Sequence, residues 1–240
     1  MSGVDLDFAD DGVATVTLSR PEKLNVVDVA TRDELIDAFC AVRDAPHARV
    51  LLLRAEGRHF SAGADLSEFG NTGSVFEARR VRWDRDPWMH LWYLPQPSVV
   101  ALHGYALGAG IEMALLCDLR LAAADTRIGL PETTLGMLPA AAGTQSLGRL
   151  LGAPAATAHV LLGDTIDAAD AERRGIVHRV VDADGLEAEA LGVARQLAAL
   201  HPGVARRAKQ ALRAAHDLPL ADGLAAERRL ARVALAARGG

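Results

Sequence analysis

The 240-residue chain holds only two cysteines, Cys40 and Cys117. Two thiols build neither a disulfide framework nor a cysteine-ligated zinc centre. Lysine occurs only at Lys23 and Lys209, and aromatic residues make up 4% of the chain. The longest apolar runs, such as Ser98–Leu102 and Ala114–Cys117, fall far short of the roughly 20 residues a membrane helix needs. The opening Met1-Ser2-Gly3-Val4-Asp5-Leu6-Asp7 lacks the basic-then-apolar start of a secretory leader, so a soluble, cytoplasmic protein is expected. The eight histidines are scattered without ligand spacing, and no metal is expected. A net charge of −5 counts against a general nucleic-acid binder. It leaves room for a small anionic ligand, which needs only a few local cations or helix N-termini.

Half of the residues are hydrophobic, enough for one sizeable core. Val4–Phe8 and Val13–Leu18 alternate around Asp10-Asp11-Gly12, which reads as a β-hairpin. Thr31-x-x-Glu34 resembles a capping box, and Leu35, Ile36, Phe39 and Val42 follow at helical spacing until Pro46. Val50–Leu53, Ser98–His103 and Leu119–Ala123 are short all-apolar runs, the pattern of strands buried on both faces. A helical segment is expected near Gly110–Leu116. From about Thr144 helices dominate: Gln145–Leu151, Pro154–Leu162, Ala168–Arg174, Leu186–Leu200, Val204–His216 and Leu220–Ala237, with Ile176–Val181 as a strand among them. The class is α/β with a helical C-terminal third.

Two small-residue loops follow buried strands. In His59-Phe60-Ser61-Ala62-Gly63-Ala64-Asp65-Leu66 and Gly104-Tyr105-Ala106-Leu107-Gly108-Ala109-Gly110, unpaired N–H groups at a helix start could receive a carbonyl oxygen that becomes negative. The second loop is spaced Gly-x-x-x-Gly-x-Gly, which is neither a dinucleotide fingerprint nor a P-loop. Glu112 lies in the first turn of a strongly apolar helix, where an unpaired carboxylate is costly. Glu132 follows a short strand beside apolar residues. Two carboxylates beside two donor loops suggest acid–base chemistry at a carbonyl. Asp65 and Asp118 read as loop anchors. Trp83, Trp88 and Trp92, clustered with Tyr93, read as packing or a subunit contact, with at least one in the core; an acyl pocket is the alternative.

The sequence resembles the enoyl-CoA hydratase/isomerase (crotonase) superfamily from about Val13 to Leu230. The resemblance is carried by Arg20-Pro21-x-x-Leu24-Asn25, by Phe60–Leu66, by Gly104–Glu112, by Pro131-Glu132-x-x-Leu135-Gly136 and by Gly143-Thr144-Gln145. It implies a crotonase-like spiral of ββα units over residues 1–200 and C-terminal helices over 201–240 that assemble homotrimers or homohexamers. It also implies acyl-CoA thioester substrates, with CoA belonging to the substrate and no further cofactor. By the family pattern the oxyanion donors fall on Ala64 and Ala109, and the catalytic pair on Glu112, mainly base, and Glu132, mainly proton donor. CoA would border Leu24, Ala62, Gly63, Ala64, Asp65, Leu66 and Gly108. The leading expectation is hydration of a 2-enoyl-CoA. A double-bond isomerase, another thioester-enolate reaction or a non-catalytic acyl-CoA binder are the alternatives. Three departures stand out: Ala109 where glycine is usual, the alanines of Pro139-Ala140-Ala141-Ala142-Gly143, and an end at Gly240 about 20 residues early as the resemblance would have it.

Overall fold

The hairpin forms where the alternation places it. Strands β1 (Val4–Phe8) and β2 (Val13–Leu18) pair antiparallel, with Val4 opposite Leu18. Gly12 supplies the turn with φ +87°, and Asp11 Oδ1 accepts from the Val13 N–H at 3.1 Å. The computed structural model describes residues 3–68, 74 and 83–236. The helical stretch expected after Asp65 extends beyond the described residues. Met1 and Ser2, and Ala237 with the expected short end at Gly240, also lie outside them.

Helix α1 (Val29–Asp44) carries the chain across to β3 (Val50–Ala55), which pairs parallel with β2. Strands β4 (Ser98–Leu102), β6 (Leu119–Ala123) and β9 (Arg179–Val181) extend the sheet, giving the order β1-β2-β3-β4-β6-β9. Short strands β5 (Tyr105–Leu107), β7 (Arg127–Gly129) and β8 (Thr165–Asp167) form a second sheet. Strands β4 and β6 are each followed within a few residues by a short strand of the other sheet, β5 and β7, and β3 by the isolated bridge of Ser61 to Ala106 in β5. After β4 and β5 comes helix α3 (Ala109–Leu115); helix α2 (Pro87–Trp92) precedes β4. That alternation is the spiral of ββα turns.

The all-apolar strands are buried on both faces, which explains their lack of alternation. One face, with Val16, Leu51, Leu53, Val100 and Leu102, packs against the helices beside the site. The other, with Val50, Leu52, Val99, Ala101 and Leu121, meets Leu186, Ala190, Ala194 and Ala198 of a single helix. This is α7 (Leu186–Ala198), whose small residues at four-residue spacing lie on one side and allow close approach. Between β7 and β9 run α4 (Gly143–Leu151), α5 (Ala153–Leu162) and α6 (Ala168–Arg173). Helices α8 (Pro202–Asp217) and α9 (Leu220–Ala236) follow and pack on each other. Among the described residues no helix is long and apolar enough to cross a membrane.

Three expectations need correction. The capping residue of α1 is Asp28, not Thr31: its Oδ1 accepts from the Thr31 N–H at 2.8 Å, and Glu34 instead accepts from the Gly3 N–H at 2.7 Å. The strand expected from Ile176 begins only at Arg179. Ile176 is still closing α6, its N–H donating to Ala171 O at 2.8 Å beyond Gly175 at φ +76°. Strand β8 was not anticipated, because three residues carry no readable period.

Candidate active site

The first loop is fixed by residues far apart in sequence. Ser61 Oγ donates to Asn25 O at 2.8 Å and accepts from the Gly63 N–H at 3.1 Å. Asn25 in turn donates from Nδ2 to the carbonyls of Glu56 and His59, and its Oδ1 accepts from the Arg20 N–H. Asn25 holds φ +50° to do so, in the left-handed region that asparagine tolerates. Val27 then makes an isolated parallel bridge with Ala64, donating to Gly63 O and accepting from the Asp65 N–H. In such a bridge the N–H of the middle residue, Ala64, points away from the neighbouring chain. It has no hydrogen-bond partner among the described residues.

The second loop runs from β5 through Gly108 (φ +48°) into α3, where Ala109 is the first helical residue. An N–H in that position has no intrahelical acceptor, and none is found for Ala109 among the described residues. The two loops touch. A Cβ built on Gly63 would lie 3.1 Å from Leu107 O and 3.4 Å from Ala109 N, so only glycine fits between the donors, and its φ of +98° favours the same residue. The Ala109 methyl is accommodated because helical backbone, unlike that of Gly108, suits an L-residue. Its carbonyl accepts from Trp88 Nε1 at 3.2 Å.

Glu112 sits one turn into α3 and is 2% exposed. Its Oε1 accepts from the Ala141 N–H at 2.9 Å and the Gly143 N–H at 2.8 Å. Charge-assisted bonds of this kind offset the cost of burying a carboxylate. Glu132 stands on the 3-10 turn Pro131–Leu135 after β7. Thr133 Oγ1 ties that turn to α5 through Val160 O at 2.7 Å. A Cβ on Gly108 would meet Glu132 Oε1 at 2.7 Å, so this carboxyl lies directly against the second donor loop. Its Oε2 is buried without a hydrogen-bond partner among the described residues. Burial pushes the Glu132 carboxyl above its ordinary range, a single backbone hydrogen bond opposing.

The structure therefore forms one site where Gly63, Gly108, Ala109 and Glu132 meet, with Ala62 and Ala64 flanking Gly63 and Glu112 one helical turn beyond Ala109. Leu24 and Leu66 stand at its rim, 49% and 54% exposed. Asp65 Oδ1 accepts from the Ser67 N–H and Oγ, the anchoring role expected of it. Trp88 is the core tryptophan, 3% exposed, whereas Trp83 is 73% exposed. Trp92 lies under the Arg213 guanidinium, 4.4 Å from the ring centre. Behind the Ala140–Ala142 turn opens a cavity of about 990 Å³, walled also by Trp88, Trp92, Leu115 and Leu212. Reading the sequence missed the roles of Asn25, Ser61 and the Ala141–Gly143 turn. Leu24-Asn25 was visible as a motif, but nothing local showed what Asn25 binds.

Two N–H groups and two carboxyls, one of them raised, can polarise a carbonyl and exchange protons beside it. The family model described as enoyl-CoA hydratase/isomerase matches residues 9–237. The chain belongs to this family. A "probable enoyl-CoA hydratase" of Mycobacterium tuberculosis is 37% identical over 223 residues, 92% of this chain and 85% of that protein. A "2,3-dehydroadipyl-CoA hydratase" of Escherichia coli is 38% identical over 218 residues, 91% and 85% of the two. Among solved structures, an enoyl-CoA hydratase subunit from Geobacillus kaustophilus superposes with TM-score 0.92 at 33% identity, covering 98% of this chain and 90% of that one. A structure from Thermobifida fusca, described as a putative enoyl-CoA hydratase in complex with CoA, has TM-score 0.90 at 30% identity, covering 99% and 95%. The fold of this family member is the crotonase fold.

Proposed function

We infer that this chain is an enoyl-CoA hydratase, a hydro-lyase that adds water across the 2,3 double bond of a 2-enoyl-CoA thioester. The observation that carries the reading is the carboxyl pair: Glu132 against Gly108 and Glu112 one helical turn beyond Ala109, both beside the two unpartnered N–H groups. The thioester oxygen accepts from Ala64 and Ala109. Glu112 takes a proton from water as the water oxygen bonds to C3. The π electrons move towards C2 and the thioester oxygen, whose growing negative charge the two N–H groups stabilise; a lost donor of this kind typically costs about 10²–10³ in rate. Glu132 delivers its proton to C2. A carboxyl raised by burial keeps its proton to higher pH than an ordinary glutamate, which suits the donor.

CoA then borders Leu24, the Ala62–Leu66 loop and Gly108, and needs no additional cofactor. Residues 201–240 form the assembly region of a homotrimer or a pair of trimers, and the location is cytoplasmic. The test is a mass-spectrometric screen of 2-enoyl-CoAs. A product one water heavier supports hydration; a product of unchanged mass with a shifted double bond would make the protein an isomerase, and binding without turnover a non-catalytic acyl-CoA binder.

A further inference from the structure

Ala142 lies at φ +88°, ψ −1°, left-handed backbone that an alanine adopts only when its surroundings hold it there. Its two neighbours, Ala141 and Gly143, are the residues whose N–H groups converge on Glu112 Oε1. Alternate N–H groups flanking a left-handed residue form an anion-receiving concavity, and here the anion is a side chain of the same protein. The turn has no slack on its far side either. A Cβ on Gly143 would lie 2.7 Å from Glu112 Oε1 and 3.1 Å from Leu130 Cδ1. Ala142 O accepts from the Ser146 N–H at 2.8 Å, so the same residue also starts α4.

We propose that Ala142 is a positioning residue: its left-handed backbone aims two N–H groups at Glu112 Oε1, and those two hydrogen bonds in turn hold the alanine in its unfavourable conformation. Clamp and carboxylate are therefore energetically coupled, and the Glu112 position depends on a residue that need not touch substrate. The proposal rests on the hydratase reading only for its effect on rate; the coupling itself does not need it.

The test combines kinetics with thermal unfolding of the full chain. Ala142→Val places a β-branched residue where φ is positive, which opens the turn. Turnover of a 2-enoyl-CoA should fall by about 10²-fold, as for a catalytic group displaced by about 1 Å. KM should stay within about threefold, since the thioester donors are untouched. Ala142→Gly, which adopts the same backbone without strain, should recover the lost turnover. The coupling is read by Tm. Ala142→Gly should raise it by about 2 °C in the parent protein. In Glu112→Ala, where the two hydrogen bonds that converge on the carboxylate are gone, the same change should give no rise or a fall. An equal rise in both backgrounds, or Ala142→Val with parental turnover, would overturn the proposal. A parent that hydrates no enoyl-CoA would defeat the hydratase reading, while the Tm comparison would still decide the coupling.

Discussion

Glu132 is held at an energetic cost. Its Oε2 is buried without a partner among the described residues, and burial raises its carboxyl above the ordinary 4.5. The folded chain therefore binds this proton more tightly than the unfolded chain does. The burial cost is absent below the ordinary value, grows as pH rises from there to the raised one, and is fully felt above it. Glu132→Gln carries no charge, so above the raised value it should raise Tm while slowing hydration at least about 10²-fold. The gain should shrink towards zero by about pH 4; a Tm difference independent of pH would show that the carboxyl is not desolvated. Glu112 and Glu132 were legible in the sequence because a carboxylate in an apolar run conflicts with local burial. Ser61 and Asn25 were not, because their meaning lies in a 2.8 Å bond between residues 36 positions apart. A core residue among the three tryptophans was legible, but not that it is Trp88 or that it donates to Ala109 O.

Among elements, α8 shows how a helix with a mostly polar surface is tied to the core. Lys209 is 7% exposed; its Nζ donates to Gln96 O and pairs with Asp118 Oδ2, each at 2.6 Å. Asp118 Oδ2 also accepts from the Ser98 N–H and Oγ, and Arg213 lies 3.7 Å from its other oxygen. Burial pushes the Lys209 ammonium down to about 8 even though Asp118 opposes the shift. Asp118→Asn would leave two cations beside the core without their counter-charge. Removing one partner of a buried pair costs about 3–5 kcal/mol, and with the Asp118 side chain 28% exposed the lower end applies. Urea unfolding measures it, and a loss below about 1 kcal/mol would mean the cluster behaves like a surface ion pair. The boundaries of α7 were readable to within two residues from its apolar period. Boundary reading failed for α1, where Asp28 and Thr31 are both good caps and only the tertiary path of Glu34 decides. It failed also for β8 and β9, which exist because a neighbouring strand is there to pair with.

Over the whole molecule, exposed apolar residues recur along the chain, and several of them lie on α8 and α9. Leu212, Leu220, Val233 and Leu235 are each at least half exposed, and Ala226 is the one buried residue of α9. Scattered exposed leucines are ordinary, but several on two helices that pack on each other suit an interface. Light scattering at micromolar concentration should give a trimer or a pair of trimers, and a monomer would contradict this. The crotonase fold was readable from five motifs in order, whereas assembly depends on surfaces that no motif describes. Hydration by a shared carboxylate pair is tested most directly by turnover in heavy-oxygen water, with parent, Glu112→Gln and Glu132→Gln compared by mass spectrometry. The parent should place one heavy oxygen in the 3-hydroxyacyl product. Each variant should do so at least about 10²-fold more slowly, since either change removes a proton-transfer group. Product without heavy oxygen, or two variants that turn over at the parental rate, would contradict the assignment.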